Sequence, residues 1–277
     1  MPELPEVELV ASSLDRLVKK RRITAAELLR ERLAPNIGPQ EFARNLKNTT
    51  INFVRRRGKH ILFDLDNGQT LVTHLRMSGR FLLLRRKKEN PKFTHAVFHF
   101  EDDTRLIFQD QRHFGYMNIS RTDCLEKLKE IAKLAPEPFS DAFSPKYLRD
   151  SALRSKRSVK EFLLDQSKVC GLGNIYASEA LFLANIHPAK RADRLSRPKI
   201  ATLHRMIVAT LNEAIEAGST LNVDPENIDG SYYNGSYQSR WRVYDREDEP
   251  CPTCETTILR LKQGGRSSYY CPRCQKK

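Results

Sequence analysis

Four cysteines near the C-terminus most constrain how this chain can fold. They form two Cys-x₂-Cys pairs separated by sixteen residues: Cys251, Cys254, Cys271 and Cys274. This spacing is typical of a zinc ribbon, in which each pair supplies two thiolates to one tetrahedral ion. Because four thiolates leave no open coordination position, the pattern predicts one structural Zn²⁺. A module this small has little core, so we expect the metal to supply much of its folding free energy.

The segment between the two cysteine pairs is a predicted β-hairpin. Residues 257–262 and 267–270 have strand character, and Gln263-Gly264-Gly265-Arg266 forms the turn between them. The alternative to a metal site is a pair of disulfides, which a reducing compartment disfavours. The remaining cysteines, Cys124 and Cys170, are single and are expected to be packing residues.

Composition and charge narrow the class of protein. The chain has 277 residues, of which 39% are hydrophobic and 30% charged, as in a folded globular protein rather than a disordered one. Its N-terminus is acidic without a signal-like apolar segment, and no run approaches the ~18 apolar residues of a membrane helix, so we expect a cytoplasmic protein. The formal charge of +14 favours nucleic acid as the partner, with a solvated basic surface as the alternative.

The N-terminal half combines one helix with a strand-rich region. Residues 3–20 carry apolar side chains every three or four positions and predict an amphipathic helix. Residues 23–120 then change to strand character, with hairpin signals at 66–68 and 101–103. Several short strands joined by turns predict an antiparallel β-sandwich.

Helical periodicity returns after residue 123. A short stripe of apolar residues with helical spacing covers 125–134 and ends at residues 135–138, which we interpret as a linker. A longer apolar stripe predicts a helix over 200–215. Residues 221–240 lack any period and predict a long loop. The glycines in 171–173 precede a helix, so they either present backbone N–H groups to a phosphate or form an ordinary turn between helices.

Seven segments occur in one order along the whole chain and carry a resemblance to a known family. They are MPELPEVE at the N-terminus, RRRGKHILFDL at 55–65, THLRMSG at 73–79, DQRHFG at 110–115, LAPEPFS at 134–140, DQSKVCGLGNIYASE at 165–179 and the cysteine ribbon. Together they resemble the formamidopyrimidine/endonuclease VIII family of DNA glycosylases, and within it the formamidopyrimidine-DNA glycosylases. Departures from the family pattern occur at Arg76, Phe93, Gln111, His113 and in residues 221–240.

The resemblance implies an α+β multidomain fold. Residues 1–134 would form an N-terminal catalytic antiparallel β-sandwich domain with an N-terminal helix. Residues 135–240 would form a helix–two-turns–helix DNA-binding domain with a lesion loop, and residues 241–277 a β-hairpin zinc finger. The implied activity is base-excision repair: excision of 8-oxoguanine and formamidopyrimidines, then strand cleavage by β,δ-elimination. The implied partner is double-stranded DNA with oxidised bases or abasic sites. The resemblance also implies a monomer that is associated with the nucleoid and has no membrane partner.

The resemblance assigns four catalytic residues. Pro2, once Met1 is removed, offers a secondary amine, and α-amino groups titrate far below lysine, at roughly 7.7–8.0 in model peptides. Such an amine is partly unprotonated near neutrality and can attack the sugar. Glu3 would be the acid that opens the sugar and shuttles protons, Lys59 would assist β-elimination, and Arg266 would grip the phosphate for δ-elimination.

Further positions match DNA-contacting or lesion-site residues of the family. Met77, Arg112 and Phe114 match the trio that fills the gap left by a flipped nucleotide, whose extrusion costs a few kcal/mol. Other residues match phosphate or lesion-site contacts, with Lys156 the weakest match among them: His74, Lys156, Lys160, Asn174 and Tyr176 for DNA, and Glu6 and Glu179 for the lesion site.

Residue type alone also allows ordinary structural explanations. Met77 and Phe114 would be packing residues of the core. Glu3 and Glu6 would be acids that favour the N-terminus of their own helix. Lys59 would be a solvated lysine at the start of a strand.

Two other functions remain open at this point. One is a relative that prefers oxidised pyrimidines, and the other is a non-catalytic DNA-binding protein with a zinc ribbon. The opening MPELPE and the trio favour a purine-lesion enzyme over the first. Pro2 and Glu3 argue against the second, because a binding protein has no need of a free N-terminal proline.

Overall fold

The computed structural model describes residues 1–85, 88–219 and 236–277. These residues group into two compact units. The first contains Met1–Pro2 and Glu6–Ala132, and the second contains Glu3–Pro5, Lys133–Ser219 and the chain from Ser236 to Lys277. The predicted domain boundaries stay predictions, and most of the predicted long loop lies outside the described residues.

The first unit is built on an antiparallel sheet of eight strands. They are β1 (Arg22–Leu28), β2 (Thr49–Arg57), β3 (His60–Leu65), β4 (Gln69–His74), β5 (Gly79–Arg85), β6 (Thr94–Phe100), β7 (Thr104–Asp110) and β8 (Tyr116–Arg121). The strand order is β5-β7-β6-β1-β2-β3-β4-β8. Strands β1 and β2 pair only at Arg22↔Thr50 and Ile23↔Thr49, so this short joint divides the sheet into two halves of four strands. Side chains from both halves share one apolar core, which confirms the predicted sandwich.

Three helices accompany this sheet: α1 (Leu4–Val18), α2 (Pro39–Leu46) and α3 (Lys129–Ala132). Helix α1 confirms the predicted N-terminal helix and packs Val7, Val10 and Leu14 into the core. Helix α2 lies in a region predicted as strands. Its buried side chains are only Phe42 and Leu46, too few to form a visible helical period.

The predicted helical stripe at 125–134 is also corrected. Residues Thr122–Lys127 form a 3₁₀ segment, and α3 spans only four residues. Pro136 and Pro138 lie within six residues of the end of α3, so the segment has little room to extend into a longer helix.

The second unit combines four helices with a two-stranded hairpin. The helices are α4 (Pro145–Leu153), α5 (Val159–Leu164), α6 (Asn174–Leu183) and α7 (Arg197–Glu216), and the strands are β9 (Leu259–Gln263) and β10 (Arg266–Tyr270). Helix α5 begins with a capping box between Ser158 and Glu161. Helix α7 confirms the predicted long helix, and the chain leaves it through Gly218 at a φ of +76°. Among the described residues, no helix has the length and apolar character needed to cross a membrane.

Candidate functional site

The N-terminal carboxylate Glu3 is held at the start of helix α6. Its Oε2 accepts hydrogen bonds from the backbone N–H groups of Gly173 at 2.7 Å and Tyr176 at 3.3 Å, and its Oε1 accepts one from Ile175 at 2.9 Å. The side chain is only 3% exposed. Helix N-termini carry unpaired N–H groups and partial positive charge, so this position stabilises the carboxylate form of Glu3.

The glycines before α6 therefore serve a close approach of the chain's own N-terminus. A Cβ on Gly173 would lie 2.3 Å from the Glu3 carboxyl carbon, so any other residue here would displace the Glu3 carboxylate from its N–H donors. The Leu4 N–H also donates to the Gly171 carbonyl at 3.0 Å. The sequence left two explanations open, a phosphate cradle or a plain turn. The glycines lie in the connection between α5 and α6, as the turn explanation has it, and the Gly173 N–H donates to Glu3 rather than being left for a phosphate.

Residue 2 is the neighbour in sequence of this anchored carboxylate. Pro2 directly precedes Glu3 and is buried, whereas Met1 is 49% exposed. Removal of Met1 would thus leave a secondary amine at a defined place in the fold. Glu6, in the first turn of α1, is likewise buried, at 2% exposure.

Lys160 lies beneath the start of α6. It is only 1% exposed, and its Nζ donates to the Asn174 carbonyl at 2.9 Å and to the Ser178 hydroxyl. Burial lowers the pKa of Lys160 to about 7, an effect that the carboxylates of Glu3 and Glu179 partly offset. The structure therefore places Lys160 as an internal support of this helix rather than as an exposed phosphate ligand.

Glu179 and Tyr176 also face the interior of the second unit. Glu179 is fully buried and accepts hydrogen bonds from three successive backbone N–H groups, those of Arg242 (2.9 Å), Val243 (3.0 Å) and Tyr244 (2.9 Å). It is therefore not the solvated helix-surface acid that its type allows. Tyr176 is 0% exposed in the helical core, so we leave its side chain out of the DNA contacts proposed below.

In the first unit, Lys59 directly precedes β3, and His60 at the start of β3 pairs with His74 at the end of β4. Lys59 is 5% exposed, so it is not the solvated lysine that its type allows. The His74 ring meets the His60 ring edge-on at 4.7 Å, and His74 Nδ1 accepts the Arg76 N–H at 2.9 Å. Burial, followed by the positive charge of its neighbours, lowers the pKa of His74 to about 2. His74 is thus a neutral imidazole with its proton on Nε2, a donor suited to a phosphate oxygen.

Met77, Arg112 and Phe114 lie on two turns and are exposed. Met77 is 40% and Phe114 57% exposed, which excludes the core-packing explanation for both. The Arg112 guanidinium lies 5.5 Å from the centroid of the Phe114 ring. Lys156 is exposed in the connection between α4 and α5.

The four ribbon cysteines fit a zinc ion. Their Sγ atoms all lie within 4.8 Å of one another, with separations of 3.9 Å for Cys251–Cys274 and 3.4 Å for Cys254–Cys271 and Cys254–Cys274. Zn–S bonds of ~2.3 Å in a tetrahedron require separations of ~3.8 Å. A disulfide needs ~2.05 Å, so the disulfide alternative does not fit these distances.

The ribbon hairpin carries Arg266 and is tied to the helices of the same unit. Arg266 is exposed and opens β10, directly after the predicted Gly264-Gly265 turn. The Asn174 side-chain amide donates to the neighbouring Ser267 carbonyl at 3.0 Å. Buried Gln275 accepts from Cys271 N–H and donates to the Ile186 carbonyl, both at 2.9 Å. These bonds connect the metal site to the position of Arg266.

Loss of the metal is expected to displace Arg266. The purified protein should contain one zinc per chain, and Cys251→Ser or Cys274→Ser should lose it. DNA affinity should then fall about tenfold or more, because a charge-assisted hydrogen bond contributes about 1.5–3 kcal/mol. Metal analysis and DNA titration measure both effects, and the circular dichroism of the β-sheet unit should persist. Zinc-free protein with normal DNA affinity would contradict this expectation.

Family models match nearly the whole chain. The N-terminal domain of formamidopyrimidine-DNA glycosylase matches residues 1–117, its H2TH domain matches 134–224, and the zinc finger found in FPG and IleRS matches 248–277. A formamidopyrimidine-DNA glycosylase of Cytobacillus firmus is 42% identical over 99% of this chain and 100% of its own length. One of Bacillus subtilis (strain 168) is 41% identical, with 100% of both chains covered.

Solved structures of a glycosylase from the same family are also similar to this chain. The Lactococcus lactis Fpg in complex with abasic-site DNA has a TM-score of 0.91 and 33% identity, covering 99% of this chain and 100% of that one. Its complex with Fapy-dG DNA gives the same values. The fold and the cysteine site thus define a zinc-finger DNA glycosylase of the helix–two-turns–helix class. The chain belongs to the formamidopyrimidine-DNA glycosylase family, whose members have glycosylase and AP lyase activity.

Proposed function

We propose that this protein excises 8-oxoguanine and formamidopyrimidines from duplex DNA through the amine of Pro2, and then cleaves the strand by β,δ-elimination. The observation that carries the proposal is the anchoring of the chain's N-terminus. Glu3 accepts three N–H groups of the α6 start, and Pro2 directly precedes it in the chain. A binding protein gains nothing from an N-terminal proline amine beside such a carboxylate.

The first step is attack on the sugar. The Pro2 nitrogen lone pair forms a bond to C1′, and the glycosidic bond breaks with its electron pair leaving on the base, which takes up a proton. Opening of the sugar ring then gives an iminium between Pro2 and C1′. Glu3, held as a carboxylate, takes up the proton that the Pro2 nitrogen loses and returns it to the ring oxygen as the sugar opens, since it directly follows the nucleophile in the chain.

The second step is elimination of both phosphates. The iminium acidifies the C2′ proton, and its removal expels the 3′ phosphate with the C3′–O bond pair. A further proton loss expels the 5′ phosphate in the same way, and hydrolysis of the iminium by water then releases the sugar fragment and regenerates the Pro2 amine. Lys59 and Arg266 are the cations proposed to act here, Lys59 in β-elimination and Arg266 on the phosphate for δ-elimination.

The proposed DNA interface has three parts. The phosphate contacts are His74, Arg266, Asn174 and exposed Lys156. The gap that the extruded lesion leaves in the duplex is filled by Met77, Arg112 and Phe114. The lesion site contains Glu6 and Glu179. The relatives from Lactococcus lactis are bound to DNA with abasic sites or Fapy-dG, which supports duplex DNA as the partner. The monomeric state and the cytoplasmic, nucleoid-associated location stay predictions.

A panel of end-labelled duplexes tests the proposal. We expect cleavage at 8-oxoguanine opposite cytosine, at a formamidopyrimidine and at an abasic site, with phosphate on both new ends. Products with an unsaturated aldehyde at the 3′ end would instead show β-elimination alone. Faster excision of thymine glycol than of either purine lesion would favour the pyrimidine-specific alternative.

A further inference from the structure

Two separate turns of the first unit carry Met77, Arg112 and Phe114, the three exposed side chains that we call the wedge. Met77 lies on the turn between β4 and β5, and Arg112 and Phe114 lie on the turn between β7 and β8. Side chains on independent turns move independently, so they would fill a gap in DNA poorly. The rigidity of this wedge depends on what holds the two turns together.

The carboxylate of Asp110 receives hydrogen bonds from both turns. Asp110 is the last residue of β7 and is 0% exposed. Its Oδ1 accepts the Ser78 hydroxyl at 2.5 Å, from the turn of Met77. On its own turn, Oδ1 accepts the Arg112 N–H at 3.2 Å and Oδ2 accepts the Gly115 N–H at 2.6 Å. All these donors are neutral groups, so the Asp110 carboxylate connects the two turns through hydrogen bonds to neutral donors.

Ser78 completes the link between the turns. Its hydroxyl donates to Asp110 and also accepts the Arg112 N–H at 3.0 Å. Ser78 directly follows Met77, so one hydroxyl connects the backbone beside Met77 with the backbone amide of Arg112. A shift of either turn by about 1 Å would break these bonds, since a donor–acceptor distance beyond about 3.5 Å no longer makes a hydrogen bond.

Close packing fixes the same turn from the other side. A Cβ on Gly115 would lie 2.7 Å from the Phe108 ring and 3.1 Å from Asp110 Oδ2. His113 adds a further brace, because its Nδ1 lies 3.0 Å from Nε2 of buried His95. The turn that carries Arg112 and Phe114 is thus held in one conformation, and Asp110 sets the position of the Met77 turn relative to it.

We infer that Asp110 and Ser78 are positioning residues that make Met77, Arg112 and Phe114 act as one rigid wedge during base extrusion. The inference rests on the proposed function, since the wedge matters only if a base is flipped. Extrusion of a stacked base costs a few kcal/mol, which the wedge offsets only in the right place. At an abasic site no base has to be extruded, so the same loss of position has a smaller effect.

The test compares two substrates under single-turnover conditions. Ser78→Ala and Asp110→Asn should slow excision from an 8-oxoguanine duplex by about tenfold to hundredfold, the range expected for a misplacement of about 1 Å. Strand cleavage at a pre-formed abasic site should change by less than about threefold. Ser78→Thr keeps the hydroxyl and should restore the rate, a rescue that a loss of general stability would not give.

A double-mutant cycle with the wedge isolates the mechanism. In a Met77→Ala/Phe114→Ala background, which truncates the wedge on both turns, Ser78→Ala should add little further loss on the 8-oxoguanine duplex, because most of its effect passes through side chains already removed. Ser120→Ala, at a half-buried position, and Asp123→Asn, at an exposed one, lie in the same unit and serve as matched controls, expected to leave both rates unchanged.

The outcomes separate this inference from the proposed function. If Phe114→Ala and Met77→Ala slow both substrates equally, the wedge itself is wrong and the inference fails with it. If those variants are selective but Ser78→Ala and Asp110→Asn are not, the wedge stands and only the positioning role is overturned. Full additivity of Ser78→Ala with Met77→Ala/Phe114→Ala would also contradict it.

Discussion

A form of the protein that keeps a peptide bond to Pro2 is expected to bind lesion-bearing DNA and excise nothing. With Met1 or an uncleaved N-terminal tag in place, the Pro2 nitrogen is an amide, which is hardly nucleophilic and cannot form an iminium. Removing a covalent nucleophile lowers rates by at least about 10⁴-fold in other enzymes. Glycosylase assays on an 8-oxoguanine duplex measure the loss, and gel shifts measure the retained binding.

A C-terminal tag provides the matched control, since it leaves the N-terminal amine unchanged. Lys276 and Lys277 are exposed, so an extension there disturbs no buried group. Pro2→Gly keeps an amine at the same place and should retain weak activity. Efficient excision by the N-terminally tagged form would remove Pro2 from the mechanism.

Glu3→Gln is expected to abolish base excision while DNA binding and cleavage of a pre-formed abasic site persist. General acid–base groups contribute about 10²–10⁴-fold, and glutamine cannot give or take the proton. Glutamine keeps the size of Glu3 and one acceptor oxygen for the N–H groups of Gly173, Ile175 or Tyr176. The separate rates on the lesion and abasic substrates measure the split between the two steps.

The matched control for this variant is Glu216→Gln, at the exposed end of α7, which should change neither rate. The other explanation of Glu3 is that it only stabilises the start of α6. In that case Glu3→Gln would lower the unfolding temperature and reduce both rates together. Such a parallel loss would contradict a role for Glu3 in proton transfer.

The elements that sequence predicts well are those with local signals. The cysteine spacing predicts the ribbon because both ligand pairs and the turn lie within 24 residues of one another. The hairpin between β3 and β4 follows from Asp66-Asn67-Gly68. Strand β5 was not predicted individually, because its run Phe81-Leu82-Leu83-Leu84 has no alternation to mark a strand. Its partner β7 lies about 25 residues further along the chain, and no local signal indicates that pairing.

The residues of the candidate site also differ in whether a local sequence signal indicates them. The resemblance indicates Pro2, Glu3 and Arg266, but residue type alone does not distinguish them from helix-start and turn residues. Glu3 meets Gly173 across 170 residues, and Ser78 meets Asp110 across 32. Such side-chain contacts depend on the tertiary fold, so a single sequence carries no sign of them. The glycine before α6 was visible, but its reason, the approach of the Glu3 carboxylate, was not.

Covalent trapping tests the central claim most directly. Every turnover by the proposed route passes through an iminium between the protein and C1′, which borohydride reduces to a stable amine. Added during reaction with an 8-oxoguanine duplex, it should leave a complex with the mass of protein plus oligonucleotide, and peptide mapping should place the adduct on Pro2 with Met1 absent. An adduct on Lys59, or no adduct with any oxidised base or abasic site, would contradict the account.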